Sequence, residues 1–166
     1  GVDFSGRDLG KRSYKIYHHA TSLKGTIAYA AVRFSGYKSG EKLLDPFCGS
    51  GIIPIEAALF TANFPVNFFT KGFICEKLEK FEKIFESANK KIQEKEFPIL
   101  GFDHMMMNIK NSQNNAKIAG IGKCLKFSKN EVEWLDTKFE KQSVDHIVTH
   151  PPEPGQHQSS KDLAKL

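Results

Sequence analysis

Cysteine is scarce in this chain, and none of it is paired. Cys48, Cys75 and Cys124 are odd in number, far apart and form no C-x-x-C. That excludes a disulfide framework and a cysteine zinc site, and it points to a reducing cytosol. Long apolar runs are missing too. None approaches the roughly 18 residues of a membrane-spanning helix, so no membrane partner is expected. Nothing reads as a cleavable leader, no segment repeats, and no tract is of low complexity. The chain opens on Gly1 rather than Met, in what reads as the middle of a linker, and is expected to be an excerpt of a longer protein.

What is present suits a folded domain. The 166 residues are enough for one domain with a real core, and 40% hydrophobic residues with fourteen Phe exclude a disordered chain. A net charge of +5 and a pI near 9.0 permit an anionic partner such as RNA or DNA, without requiring one.

Residues 1–20 mix polar and aromatic side chains and read as a lead-in with no core of its own. From Ser22, the spacing of Leu23, Ile27, Ala31 and Phe34 predicts an amphipathic helix stopped by Gly36. Lys42 to Leu44 is a short strand ending at Asp45, and a helix follows the glycine turn to about Asn63. Leu78, Phe81, Ile84, Phe85, Ala88 and Ile92 line one face of a long charged helix. Pro98 to Asp103 is a second strand ending in an acid, followed by a helix from Met105 to Ala119 with Gly120 as its stop. Cys124 to Phe127 and Val144 to Thr149 complete the strands, the last halted by Pro151-Pro152. Alternating strands and helices predict an α/β fold, a mostly parallel sheet with helices on both faces, and strand four as a bare edge.

The distinctive stretch is Asp45-Pro46-Phe47-Cys48-Gly49-Ser50-Gly51. An acid at a strand end, a glycine turn and a helix start make a seat for a nucleotide-like ligand, because glycine lets the backbone approach and the helix N-terminus offers N–H groups. The third glycine of the dinucleotide G-x-G-x-x-G is absent. A carboxylate ahead of the glycines would repel a pyrophosphate but suits a ligand carrying an ammonium group. A plain tight turn between strand and helix is the bland alternative.

This stretch, continued by Ile53-Pro54-Ile55-Glu56-Ala57-Ala58, resembles the cofactor motif of S-adenosylmethionine-dependent RNA methyltransferases. It is most similar to the group that carries a THUMP domain and methylates the exocyclic amino group of guanine in tRNA or rRNA. Gly10 to Lys15, His19 to Leu23 and Thr26 to Ala28 resemble that group's linker and first helix, and Asn115 to Gly120 its third helix. The THUMP domain has no counterpart in these residues.

The resemblance implies a Rossmann-like methyltransferase domain over 37–166, with 1–36 as linker and first helix and the last strands missing. It implies S-adenosylmethionine as cofactor, RNA (tRNA first, rRNA second) as partner, and a cytoplasmic setting. Asp45, Pro46, Phe47, Cys48, Gly49 and Gly51 would surround the methionine part of the cofactor, with Thr26 binding its carboxylate. Asp103 would take the ribose hydroxyls, and Glu131 or its neighbour Asn130 would contact the adenine. Phe73 to Glu76 is a competing second strand, which would make Glu76 the ribose ligand; the Asn115 match favours Asp103.

His150-Pro151-Pro152-Glu153 stands where the group has Asp or Asn, two prolines and an aromatic residue. There a side-chain oxygen and a backbone carbonyl hold the amino group while the ring stacks on the base. A neutral His150 accepts only one hydrogen bond, and Glu153 cannot stack. A weakened domain that binds cofactor or RNA without transferring a methyl group is therefore one alternative, and a DNA amino-methyltransferase is another. His18, His104, His146 and His157 show no ligand spacing and read as surface or packing residues, so no metal is expected.

Overall fold

The computed structural model describes residues 2–3, 5–19 and 22–152. Its elements run α1 (Gly25–Phe34), β1 (Leu43–Asp45), α2 (Ile52–Thr61), α3 (Glu79–Asn89), β2 (Ile99–Asp103), α4 (Met106–Ile118), β3 (Lys126–Lys129), α5 (Leu135–Lys138) and β4 (His146–Ile147). The four strands form one parallel sheet in the order β3-β2-β1-β4. β1 is buried throughout and β2 nearly so, because they are the inner strands. β4 is an edge, as expected, with Ile147 65% exposed.

α2 is the centre of the packing. Nine of its ten residues are buried, including Glu56. It lies against α1, β1 and β2, and a helix covered on all sides must be apolar nearly all round. Pro54 sits in its first turn, where the missing N–H would have had no helical partner anyway.

The face of α1 differs from the expected one. Ile27 and Phe34 are 51% and 91% exposed; Gly25, Ala28 and Val32 are buried, with Leu23 and Ala31 only partly covered. The small residues let the α1 backbone close on α2, and Gly25 sits directly against the Arg12 side chain. Periodicity located the helix and missed the face, because packing here favours small side chains over large ones.

The region between α2 and β2 resolves the choice of second strand. Ile74–Lys77 is a turn of 3-10 helix, and Glu76 accepts the Gly72 N–H there at 2.8 Å. Ile99–Asp103 is the strand beside β1. α3 is shorter than its apolar pattern, with Leu78 before it and Ile92 after, and Ile84 and Phe85 remain exposed. β3 also starts two residues late. Cys124 and Leu125 are buried but precede the ladder, so their apolar signal reported burial rather than strand pairing. β4 forms ladder pairs only at His146 and Ile147, although the Val148 N–H still donates to Leu44 O at 3.1 Å.

The lead-in joins this core rather than forming another. Tyr14 is 1% exposed within the same apolar cluster as Ala28, Ile55 and Ile99. Among the described residues no helix is long and apolar enough to cross a membrane, and the three cysteines are unpaired thiols.

Candidate active site

Two adjacent parallel strands that end in acids must deliver both carboxylates to one sheet edge. Asp45 ends β1 and Asp103 ends β2, and both line a cavity of about 260 Å³ at that edge. Pro46, Phe47, Cys48 and Gly49 line it from the turn, Asn130 and Glu131 from the loop after β3, and His150 and Pro152 from the end of β4. Ligands of open parallel sheets bind at such an edge.

Three expected residues are placed elsewhere. Pro151 is exposed and does not border the cavity. Thr26 is exposed on α1, which begins only at Gly25; the strap before it borders the cavity instead, through His19, Ser22 and Leu23. Gly51 serves packing rather than ligand approach. A Cβ there would lie 2.8 Å from Ser112 Cβ and 2.9 Å from Phe127 Cζ, at a φ of +82°. Gly51→Ala is expected to cost roughly 2–5 kcal/mol from strain plus overpacking, read as a lowered midpoint in urea. Glu153 lies outside the described residues.

Asp45 is 1% exposed. Its Oδ1 accepts the Thr149 hydroxyl at 2.7 Å and the Phe47 N–H at 3.2 Å, and no described cation pairs with it. Burial raises its pKa to about 7; the two hydrogen bonds oppose the rise and the nearby Asp103 charge adds to it. A buried carboxyl without a cation, facing a cavity, suits a positively charged ligand. Burial also pushes the neighbouring Cys48 thiol well up, with the Asp45 charge adding to it, which leaves that thiol a poor nucleophile.

Asp103 is held differently. Its Oδ1 accepts the Met105 N–H at 2.8 Å and Asn108 Nδ2 at 2.9 Å, while Oδ2 accepts the Gly49 N–H at 3.1 Å. An ionised carboxylate has about four acceptor positions, so these bonds fix its orientation and leave capacity toward the cavity. His104, read from sequence as peripheral, also lines the cavity, with Nδ1 3.6 Å from Asp103 Oδ1.

Sequence reasoning missed the polar stripe that holds the turn. Asn108, Ser112 and Asn115 are buried on α4 at spacings that share one helix face. The Ser112 hydroxyl donates to Gly49 O at 2.8 Å, and Asn115 Nδ2 donates to Ser50 O at 3.0 Å and Tyr17 O at 2.9 Å. Asn115 Oδ1 accepts the Tyr17 N–H at 3.0 Å. One helix therefore fixes the acid, the glycine turn and the strap together. Polar residues inside a helical pattern were the available signal. Thr149, the other missed residue, had no signal beyond its place next to His150.

Residues 12–166 match the family described as "RMKL-like, methyltransferase domain". A tRNA (guanine(6)-N2)-methyltransferase of Methanocaldococcus jannaschii is 33% identical over all of this chain and 44% of its own length. A ribosomal RNA large subunit methyltransferase K/L of Buchnera aphidicola is 29% identical over 99% of this chain and 25% of its own. A crystal structure described as a possible methylase from Clostridium difficile 630 superposes with a TM-score of 0.77 at 30% identity, over 98% of this chain and 43% of that one. The chain spans less than half the length of each of these relatives.

Proposed function

From the premise that this chain belongs to the RMKL-like methyltransferase domain family, we propose that it is the methyl-donor part of an RNA methyltransferase. Its cofactor is S-adenosylmethionine and its target the exocyclic amino group of a guanine, in tRNA first and rRNA second. The observation that carries this reading is the convergence of Asp45, Asp103 and the His150-Pro152 end of β4 on one cavity. Two relatives named for tRNA guanine-N2 and large-subunit rRNA methylation support the substrate class.

The residues fit the cofactor's charge pattern. A buried, cation-free carboxyl at Asp45 suits the ammonium and sulfonium end, and the oriented Asp103 carboxylate suits vicinal ribose hydroxyls. Asn130 and Glu131 border the cavity where the adenine is expected. S-adenosylmethionine supplies an already activated methyl group, so the protein's part is chiefly alignment and exclusion of water. His150, as a neutral imidazole, accepts one N–H of the target amino group and leaves the nitrogen lone pair less committed to the ring. Work on tRNA sets the protein in the cytoplasm, where the unpaired thiols stay reduced.

Isothermal titration with S-adenosylmethionine tests the first half. Asp103→Ala is expected to weaken binding by roughly tenfold to a hundredfold, in line with the loss of about two charge-assisted hydrogen bonds. Transfer of labelled methyl groups to bulk tRNA, with digestion to nucleosides, tests the second half. N2-methylguanosine as the labelled product is the expected result, and no cofactor binding at millimolar concentration would sink the reading.

A further inference from the structure

The charge of this chain is unevenly spread. Residues 1–40 carry seven Lys and Arg against Asp3 and Asp8, which is the whole net charge of +5. A second basic stretch, residues 57–75 between Glu56 and Glu76, contains no acid at all. The fold brings these two stretches together. The Ile74 N–H donates to Ser5 O at 3.4 Å, and Gly6, at a φ of +63°, lies so close to Ile74 that a Cβ would stand 2.6 Å from its Cδ1. The Arg7 guanidinium rides 5.7 Å over the ring of the buried Phe73.

An open cavity of about 480 Å³ lies at this junction, separate from the methyl-donor cavity. Arg7 and Lys11 line it beside Ser13, Asn67 and Thr70. Asp8 also lines it, but its Oδ1 already accepts the Gly10 N–H at 2.8 Å. Neither Arg7 nor Lys11 enters an ion pair among the described residues. Two cations, two hydroxyls and an amide around one opening form a donor set suited to a phosphodiester. Phe68 and Phe69, 41% and 62% exposed, stand in sequence between the lining residues Asn67 and Thr70, and offer ring faces of the kind on which unpaired bases stack.

We propose that this cavity seats a backbone phosphate of the RNA substrate, as a docking contact outside the methyl-transfer site. The choice of RNA rests on the function proposed above. The seat stands in fixed relation to the methyl-donor cavity, because the strap between them is pinned twice. Arg12 and Tyr14 bond Glu56 on α2, and Tyr17 bonds Asn115 on α4.

The test is filter binding of bulk tRNA to the wild-type chain and to an Arg7→Gln, Lys11→Gln variant, across about 50–200 mM salt. Gln keeps much of each side-chain stem, and Arg7→Glu with Lys11→Glu gives a stronger second variant. The expected result is at least a tenfold loss of tRNA affinity at low salt. The log K against log salt slope should become shallower by about two, one per lost phosphate contact. S-adenosylmethionine affinity and the thermal midpoint should not move. Unchanged tRNA affinity and slope in both variants would overturn the seat, as would a loss of binding only to phosphatidylserine vesicles. A wild type that binds tRNA through these residues but binds no S-adenosylmethionine would instead overturn the methyl-transfer reading and support the seat.

Discussion

Asp45→Asn should make the protein more stable while stripping it of its methyl donor. With the wild-type pKa raised to about 7 by burial, the folded protein binds more protons than the unfolded chain between about pH 4 and pH 7. Stability must therefore fall as pH rises through that window and level off above it. A rise of this size corresponds to a destabilisation on the order of 4 kcal/mol at pH 8. Asparagine keeps an oxygen for the Thr149 hydroxyl and the Phe47 N–H and carries no charge to desolvate. The variant should gain roughly 2–4 kcal/mol at pH 8 and nothing near pH 4, measured by urea melts at both values.

Cofactor binding should respond in the opposite direction. Only the ionised carboxyl attracts a cationic ligand, so wild-type affinity should decline below about pH 7, approaching tenfold per unit, and the asparagine variant should lack that dependence. A variant that is no more stable, yet binds S-adenosylmethionine normally, would show that Asp45 is an ordinary turn acid. Holding an unfavourable charge where a ligand will meet it is how binding sites come to be less stable than they could be.

Breaking the strap anchor should have the largest effect on the fold itself. Glu56 is fully buried; Arg12 Nε and Tyr14 OH each donate to its Oε1 at 2.6 Å, and Arg12 Nη2 donates to Oε2 at 3.1 Å. Arg12→Ala or Glu56→Ala leaves a buried charge unpaired and is expected to cost roughly 3–5 kcal/mol. Arg12→Met with Glu56→Met removes both charges and should recover most of that loss, so the double-mutant cycle gives a large coupling. Burial, and next the Glu56 charge, raise the Tyr14 pKa well above its ordinary value, so this phenol stays a donor over the whole working range. Because the same strap carries His19 and Ser22 to the cavity, the single variants should also bind cofactor less well in the protein that remains folded. Single substitutions costing under 1 kcal/mol would mean the strap is held by Asn115 and packing instead.

Both predictions concern residues whose identity was visible and whose setting was not. Asp45 was legible as a ligand acid from the strand, the glycines and the helix that follow it. That it is cation-free, and bonded to Thr149 from a strand about a hundred residues later, depends on β4 pairing with β1. Glu56 and Arg12 lie within stretches that resembled the family, yet nothing in their spacing says that one carboxylate binds the other's guanidinium.

The sequence by itself determined the alternation of strands and helices, the acid-and-glycine turn and the preference for Asp103, because apolar period, glycine placement and strand-end acids are local properties. The tertiary structure decided the rest. It chose the small-residue face of α1 over its large apolar face, turned Gly51 from a ligand contact into a seat for Ser112 and Phe127, and put Ser22 rather than Thr26 at the cavity. Each of these depends on what a neighbouring element leaves room for. Close packing and buried charge are set by partners distant in the chain, and local pattern carries no record of them.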